Sequence, residues 1–388
     1  METKSVTRRY DLDWLRIIGI LTVFMFHSVR AFNFEPWSIK NAITYRGAQF
    51  VTDLLGVWQM PLIFVISGAS LFFALSKGGP LLSRIGGFIK DKFLRLLVPL
   101  VVGVFTYTTY VVYLDRLTNG KFNGTFLQFL PHYFDGIYIS STTDGNFAFH
   151  GLHLWYLLVL FIFCIVLLPL FMFLKSRRGG RLLNGLTRFM ALPGVFYLVL
   201  CLPVVLSENF LDEKSILGAN LLGWSLMVYA CFFISGFVII SSQRLQDSIM
   251  RLRWLSLAFA VGLGIVYFLT DQAREVMAWA FVLTILGFGM KHLNVNSPAL
   301  QYANEAVLPF YIEHQTIIII IGFSVVTWPI PDLLKWAIIA VSSFAVIIGL
   351  YEYIVRRNNV LRFLFGMKPL SRAARTVELP AQAVPTVK

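Results

Sequence analysis

Charge is scarce in this chain: only 14% of its 388 residues are Asp, Glu, Lys or Arg, whereas 57% are hydrophobic and 36 are phenylalanine. Soluble domains carry charge on about a quarter of their residues. The composition therefore excludes a water-soluble globule and points to an integral membrane protein. Cysteine is nearly missing too, and Cys164, Cys201 and Cys231 all fall in apolar runs. That excludes a disulfide framework and a cysteine-based zinc site. No GxxxxGK[ST] sequence occurs, so a nucleotide triphosphatase site is not supported. Long polar tracts are absent until the end, where "SRAARTVELPAQAVPTVK" follows Leu370. This stretch is too poor in apolar residues to build a core, and a disordered cytoplasmic tail is expected over 371–388.

What the chain does have is apolar windows long enough to cross a hydrocarbon layer of about 30 Å. They fall near 13–33, 54–75, 96–114, 153–174, 190–206, 217–240, 253–270, 274–290, 306–327 and 333–355. The expected fold class is all-α, a polytopic integral membrane protein with about ten transmembrane helices in one membrane domain, 1–370. The first span lacks a small-residue cleavage pattern and should be retained. Counted by side, 24 of the 33 Lys and Arg lie in segments on the amino-terminal side and 7 on the other, with Arg16 and Arg30 inside the first span. Basic residues collect on the cytoplasmic face, so both termini are expected there, in a multi-pass protein of the inner (plasma) membrane. The net charge of +13 is then a signal of topology and of attraction to anionic lipid headgroups, with no nucleic-acid partner implied.

Against this apolar background, ionisable residues inside spans carry the information, because each is costly unless it faces a partner or a polar cavity. Arg16 and His27 lie eleven residues apart on the first span. Helical geometry puts them within about 20° of one face and roughly 16 Å apart along the axis, looking into the same space. On position alone, Arg16 equally fits a side chain snorkelling to headgroups, and His27 a neutral imidazole bonded to a neighbouring helix. Further polar groups could converge there: His153 and Trp155 in "HLWYLLVL", and Glu313 and His314 in "FYIEHQTIIIIIGF". Adjacent helical residues diverge by about 100°, so Glu313 and His314 cannot face the same way. His150 and His153 have a helical ligand spacing, but no carboxylate or cysteine stands at a matching offset, and no metal is expected.

Ahead of the third span, "RIGGFIKDKFLRLLVP" clusters Arg84, Lys90, Lys92 and Arg95 beside two glycines. Backbone amides and cations together suit phosphate oxygens, although positive-inside topology accounts for such a cluster by itself. The long connection 115–152 is a candidate lid or acceptor-docking surface. "FVISG" ending at Gly68 echoes "FFISG" ending at Gly236, where small residues permit close helix packing.

Taken together, "DLDWLR" leading into Arg16 and His27, "FVISG", "HLWYLLVL" and a histidine after "FYI" resemble the acyltransferase type 3 membrane family. The likeness runs from about Tyr10 to Pro369. "HLWYLLVL" and "LRFLFGMKPL" are most similar to the branch that succinylates osmoregulated periplasmic glucans. The resemblance implies a ten-helix O-acyltransferase that takes an acetyl or succinyl group from cytoplasmic acyl-CoA and places it on a hydroxyl of an extracytoplasmic glycan. It assigns Arg16 and His27 to the essential pair and its basic pair to Lys92 and Arg95; together with Arg84 of the same basic cluster, Arg16, Lys92 and Arg95 are the candidate cofactor-binding cations. The family's R-x-x-R becomes Lys92 and Arg95 here, which keeps the charge but loses one planar fork. In this reading His27 is the general base, its unperturbed pKa of about 6.5 suiting the role. His153, Trp155, Glu313 and His314 are candidate supporting residues, some as oxyanion donors. Arg30 is a candidate partner for a dicarboxylic acyl group. Direct transfer is expected rather than an acyl intermediate on Ser67. The competing class is a transporter or flippase, which would work without acyl-CoA.

Overall fold

The computed structural model describes residues 8–76, 81–139, 142–218, 220, 221 and 223–370, and for 81–84 and 221 it describes the backbone elements alone. The expected tail at 371–388 and the Arg84 side chain lie outside the described residues.

The chain is helical nearly throughout. In order come α1 (Tyr10–Val29), α2 (Arg46–Ala74), α3 (Leu81–Lys92), α4 (Val98–Phe105), α5 (Tyr107–Thr118), the single turn α6 (Phe126–Phe129), α7 (Trp155–Val166) and α8 (Leu168–Lys175). There follow α9 (Arg177–Met190), α10 (Val195–Phe210), α11 (Leu226–Ile240), α12 (Gln243–Arg251), α13 (Arg253–Thr270), α14 (Arg274–His292), α15 (Pro298–Val325), α16 (Asp332–Leu350) and the short α17 (Asn359–Leu364). Among the described residues the only strands, Asn220–Leu221 and Trp224–Ser225, form one antiparallel pair.

Six segments among the described residues are long and apolar enough to cross a membrane, and up to nine if each sharply bent helix pair is one span. The sequence windows gave ten, and the differences have local causes. The fifth window straddles a 111° bend between α9 and α10, and the sixth begins before its helix, with α11 and α12 meeting at 104°. Charge at both ends of α14 leaves an uncharged run over 276–290, short of the roughly 20 residues a span needs. The same bends lay α9 and α12 across the end of the bundle where α1 starts. Arg177, Arg178, Arg181 and Arg188 of α9 and Arg244 and Arg251 of α12 make this the basic end.

Packing is closest where α2 meets α11. A Cβ on Gly68 would run into the Phe233 carbonyl, and one on Gly236 into the Val65 carbonyl. The two "ISG" stretches thus touch backbone to backbone, each filling the gap left by the other's missing side chain. Around this crossing one continuous apolar core includes Phe64, Tyr229, Phe233 and Phe237.

At the opposite, far end, the long connection after α5 folds back on that helix. Arg116 donates to Asn146 Oδ1 at 2.8 Å and to the Gly145 carbonyl at 2.5 Å, with its guanidinium 4.9 Å from the centre of the Tyr138 ring. Asn146 in turn donates to the His132 carbonyl at 2.8 Å. These bonds pin the tip of the loop to the helix end it leaves.

Candidate active site

Leu12, Leu15, Gly19, Ile20, Val23, Phe24 and His27 are buried along α1. Their spacing of three and four makes a single inward stripe, and it carries His27 into the protein. His27 Nδ1 lies 2.9 Å from the Val23 carbonyl one turn back. A carbonyl only accepts, so Nδ1 holds the proton and Nε2 keeps the free lone pair.

Two other histidines meet it there. Ring centroids are 5.0 Å apart for His27 and His314, 4.9 Å for His153 and His314, and 6.4 Å for His27 and His153. His314, from the middle of α15, donates through Nδ1 to the Tyr311 carbonyl at 2.7 Å. His153 sits in a short turn before α7, after Gly151 in the left-handed region, and donates through Nε2 to the Ile312 carbonyl at 3.0 Å. The remaining nitrogens, His314 Nε2 and His153 Nδ1, are buried with no hydrogen-bond partner among the described residues. Three imidazoles thus present lone pairs in one small volume, each able to accept a hydroxyl proton. Among the described residues no group of three or more His, Cys, Asp or Glu is placed to hold a metal ion.

Glu313 points the other way, as its 100° offset requires. Its Oε1 accepts from Tyr107 on α5 at 3.4 Å, and Oε2 is buried with no hydrogen-bond partner among the described residues. Trp155 is not brought to the histidines either: its ring packs between Phe64 and Tyr229, with centroids at 6.1 and 5.2 Å.

Below the histidines a cavity of about 670 Å³ opens at the basic end. Its cationic walls are Arg8, Arg16, Lys92, Arg95, Arg362 and Lys368. Arg16 donates to Ser70 at 2.9 Å and stands 3.5 Å from Asp13. Ser67, Tyr156 and Tyr311 also line it, nearer the histidines. There the Ser67 and Tyr156 hydroxyls are 2.6 Å apart, and the Tyr156 and Tyr311 rings stand edge to face at 6.0 Å. Tyr311 belongs to both regions: its ring lies 5.9 Å from His153 and 5.7 Å from His314, and its hydroxyl donates to the His153 carbonyl.

The sequence placed Arg16 and His27 on one face looking into one space. The structure separates them by a layer: Arg16 lines the cavity, His27 is not among its walls, and the two tyrosines stand between. Helical periodicity fixes direction along α1 but cannot show what neighbouring helices insert. Arg8, Tyr156, Tyr311, Arg362 and Lys368 were missed as site residues. Tyr311 carried a usable signal, since it stands three residues before His314 on the same helix and so on its face, though its insertion below His27 depends on packing depth.

Toward the far end, Trp37 lies 6.3 Å from His27. Arg30 pairs with Glu35 at 2.5 Å, and its buried Nε has no hydrogen-bond partner among the described residues. Lys40 ties this turn together by donating to the Arg30, Asn33 and Glu35 carbonyls. Burial and the neighbouring Arg30 push its ammonium down to about 8.

A cation-lined cavity that stops one aromatic layer short of a histidine cluster, inside an apolar helical bundle, is the arrangement that a comparison of sequences must explain. No curated protein and no solved structure matches the chain significantly. The family model described as an acyltransferase domain, Acyl_transf_3, matches residues 9–352, and the chain therefore belongs to that membrane acyltransferase family.

Proposed function

We propose that the protein is an O-acyltransferase that draws acyl-CoA into the cavity at the basic end and delivers the acyl group to a glycan hydroxyl arriving from the far end. The observation that carries this is the order of environments: a cavity walled by cations suited to phosphates, a layer formed by Tyr156 and Tyr311, then His27 with its Nε2 lone pair unengaged by the backbone. Arg16, Lys92 and Arg95 would hold the coenzyme's phosphates. Arg84 belongs to the same proposed set by sequence. The pantetheine arm would reach the histidines past Tyr156 and Tyr311, whose rings, edge to face at 6.0 Å, would have to move aside to admit it.

Chemically, His27 Nε2 takes the proton of the acceptor hydroxyl as that oxygen bonds to the thioester carbonyl carbon. The tetrahedral intermediate then collapses with loss of the coenzyme thiolate, which takes the proton from His27. Nothing is oxidised or reduced, and no metal is required. Oxyanion stabilisation falls to hydrogen-bond donors near the cluster, with His153 and His314 closest. Both present lone pairs in the structure, so a donor role needs one of them to be protonated or to exchange its tautomer when the substrate binds.

In this reading ten crossings, α14 among them, set both termini in the cytoplasm of a cell whose plasma membrane holds the enzyme, and the acyl group is succinyl or acetyl. Succinyl is favoured by the sequence likeness to the glucan-modifying branch. Arg30, already paired with Glu35, would have to exchange that partner to receive a succinyl carboxylate.

The test is mass spectrometry of envelope glycans from a deletion strain carrying either the wild-type gene or a stably expressed His27→Ala variant. A mass increment of one acyl group with wild type alone is the expected result. Loss of a general base costs about 10²- to 10⁴-fold in rate, so the variant's product should fall to background. Identical glycans from both strains would remove His27 from the chemistry. Continued export of an unmodified substrate without acyl-CoA would favour a transporter.

A further inference from the structure

The family match ends at residue 352, yet the cavity does not. Arg362, Gly366, Met367 and Lys368 all form part of its wall. After α16 the chain turns through Tyr351–Val355, starts α17 behind an Asn358 cap, and doubles back beneath the bundle.

Three contacts fix that return. Arg362 is buried, pairs with Glu305 of α15 at 2.7 Å, and donates through Nε to the Lys368 carbonyl at 2.7 Å. Asn359 accepts from the Leu370 amide at 2.8 Å. Gly366 adopts φ +67°, and a Cβ there would stand 2.8 Å from the Arg95 carbonyl and 2.9 Å from Pro99 Cγ. A side chain is therefore excluded twice, by conformation and by the close approach. The segment thus docks on the backbone of the helix that bears Lys92 and Arg95.

The wall's cations are not equally free. Arg8 and Arg16 share Asp13, Arg95 pairs with Asp91 at 2.9 Å, and Arg362 holds Glu305. Among the described residues, Lys92 and Lys368 are the two wall cations without a carboxylate partner. Lys368 is exposed, so its ammonium meets an incoming anion with little loss of existing contacts.

We infer that Lys368 is a donor-binding residue that contacts phosphate oxygens of the coenzyme, and that Arg362 and Gly366 are positioning residues that hold it at the cavity mouth. The inference rests on the acyl-CoA reading and adds to it a binding element lying outside the family-matched region. Its chemistry is that of a point charge meeting a phosphate.

The experiment uses the full chain in lipid nanodiscs with two donors, acyl-CoA and acyl-pantetheine, the second lacking the nucleotide and its phosphates. Lys368→Gln should raise KM for acyl-CoA about three- to tenfold, the range expected when a solvent-exposed charge-assisted hydrogen bond is lost, with little change in kcat. It should also narrow the enzyme's preference for acyl-CoA over acyl-pantetheine. Lys368→Arg should restore most of that preference. An equal rise in KM for both donors would mark a structural effect and overturn the assignment, as would a Lys368→Gln enzyme indistinguishable from wild type. Should titration calorimetry show that the wild-type protein binds no coenzyme A, the donor reading and this inference fall together.

Discussion

The Ser67 hydroxyl has one proton, and it faces the Ile63 carbonyl at 2.8 Å. A carbonyl cannot donate, so in the 2.6 Å contact with Tyr156 the phenol is the donor and Ser67 the acceptor. A nucleophilic serine needs a base to take its proton, and Ser67 has a backbone carbonyl in that place. We therefore expect Ser67→Ala to keep acyl transfer within about tenfold of wild type in initial-rate assays, far from the 10²- to 10⁴-fold loss expected for His27→Ala. A comparable collapse for both variants, or an acyl group trapped on Ser67, would make the reaction two-step. His27 and Arg16 were legible as residues of interest because charge and imidazole are expensive in an apolar run. The tautomer of His27 was not legible, since it depends on which ring nitrogen meets Val23. Nor was the insertion of Tyr156 and Tyr311, which depends on the depths at which α7 and α15 pack.

At the scale of the element, the paired "ISG" stretches were readable as places for small residues, but their mutual contact was not. Spacing within one helix says nothing about which partner it crosses. With both glycines against opposing carbonyls, Gly68→Ala forces α2 and α11 apart and should cost about 1–3 kcal/mol, the usual range for overpacking. Gly236→Ala should cost a similar amount. The double variant is the informative one: separation forced by the first methyl makes room for the second, so the combined loss should be smaller than the sum. Thermal unfolding in detergent, followed by a thiol-reactive or light-scattering probe, reads this directly. Gly262→Ala in α13 is the control, because a Cβ there meets nothing within 4 Å. Additive losses would mean that the two glycines act at independent contacts.

For the whole molecule, the decisive relation is that Arg8 and Lys368 line the same cavity, so the described ends of the chain lie at one end of the bundle. An even number of crossings meets that condition and nine complete crossings do not. In the proposed ten-crossing reading, the segment that makes the count even is α14. Near its carboxyl end, Asn294 Oδ1 accepts from the Tyr10 amide at 3.2 Å, at the basic end. At its other end Arg274 donates to the Gly223 carbonyl at 2.5 Å and is electrostatically coupled to Asp53, itself tied through Gln49 to the far-end Glu35. Nineteen residues of helix reach about 28 Å, close to the thickness of a hydrocarbon layer. Packing against α1, α2 and α13 gives α14 apolar surroundings along its length, which in the proposed reading would let it cross with charges at its tips. In the proposed function α14 joins the nine candidate spans as a tenth crossing, with the basic α1 end in the cytoplasm. Cysteines introduced by Asp144→Cys in the far-end loop and Arg188→Cys on α9 test this in intact cells treated with a membrane-impermeant maleimide. Label on Asp144→Cys alone, with Arg188→Cys reacting only after permeabilisation, is the expected outcome. Label on Arg188→Cys in intact cells would invert the protein and leave cytoplasmic acyl-CoA on the wrong side of the cavity, whereas a carboxyl-terminal reporter exported while the amino terminus stays inside would return the count to an odd number.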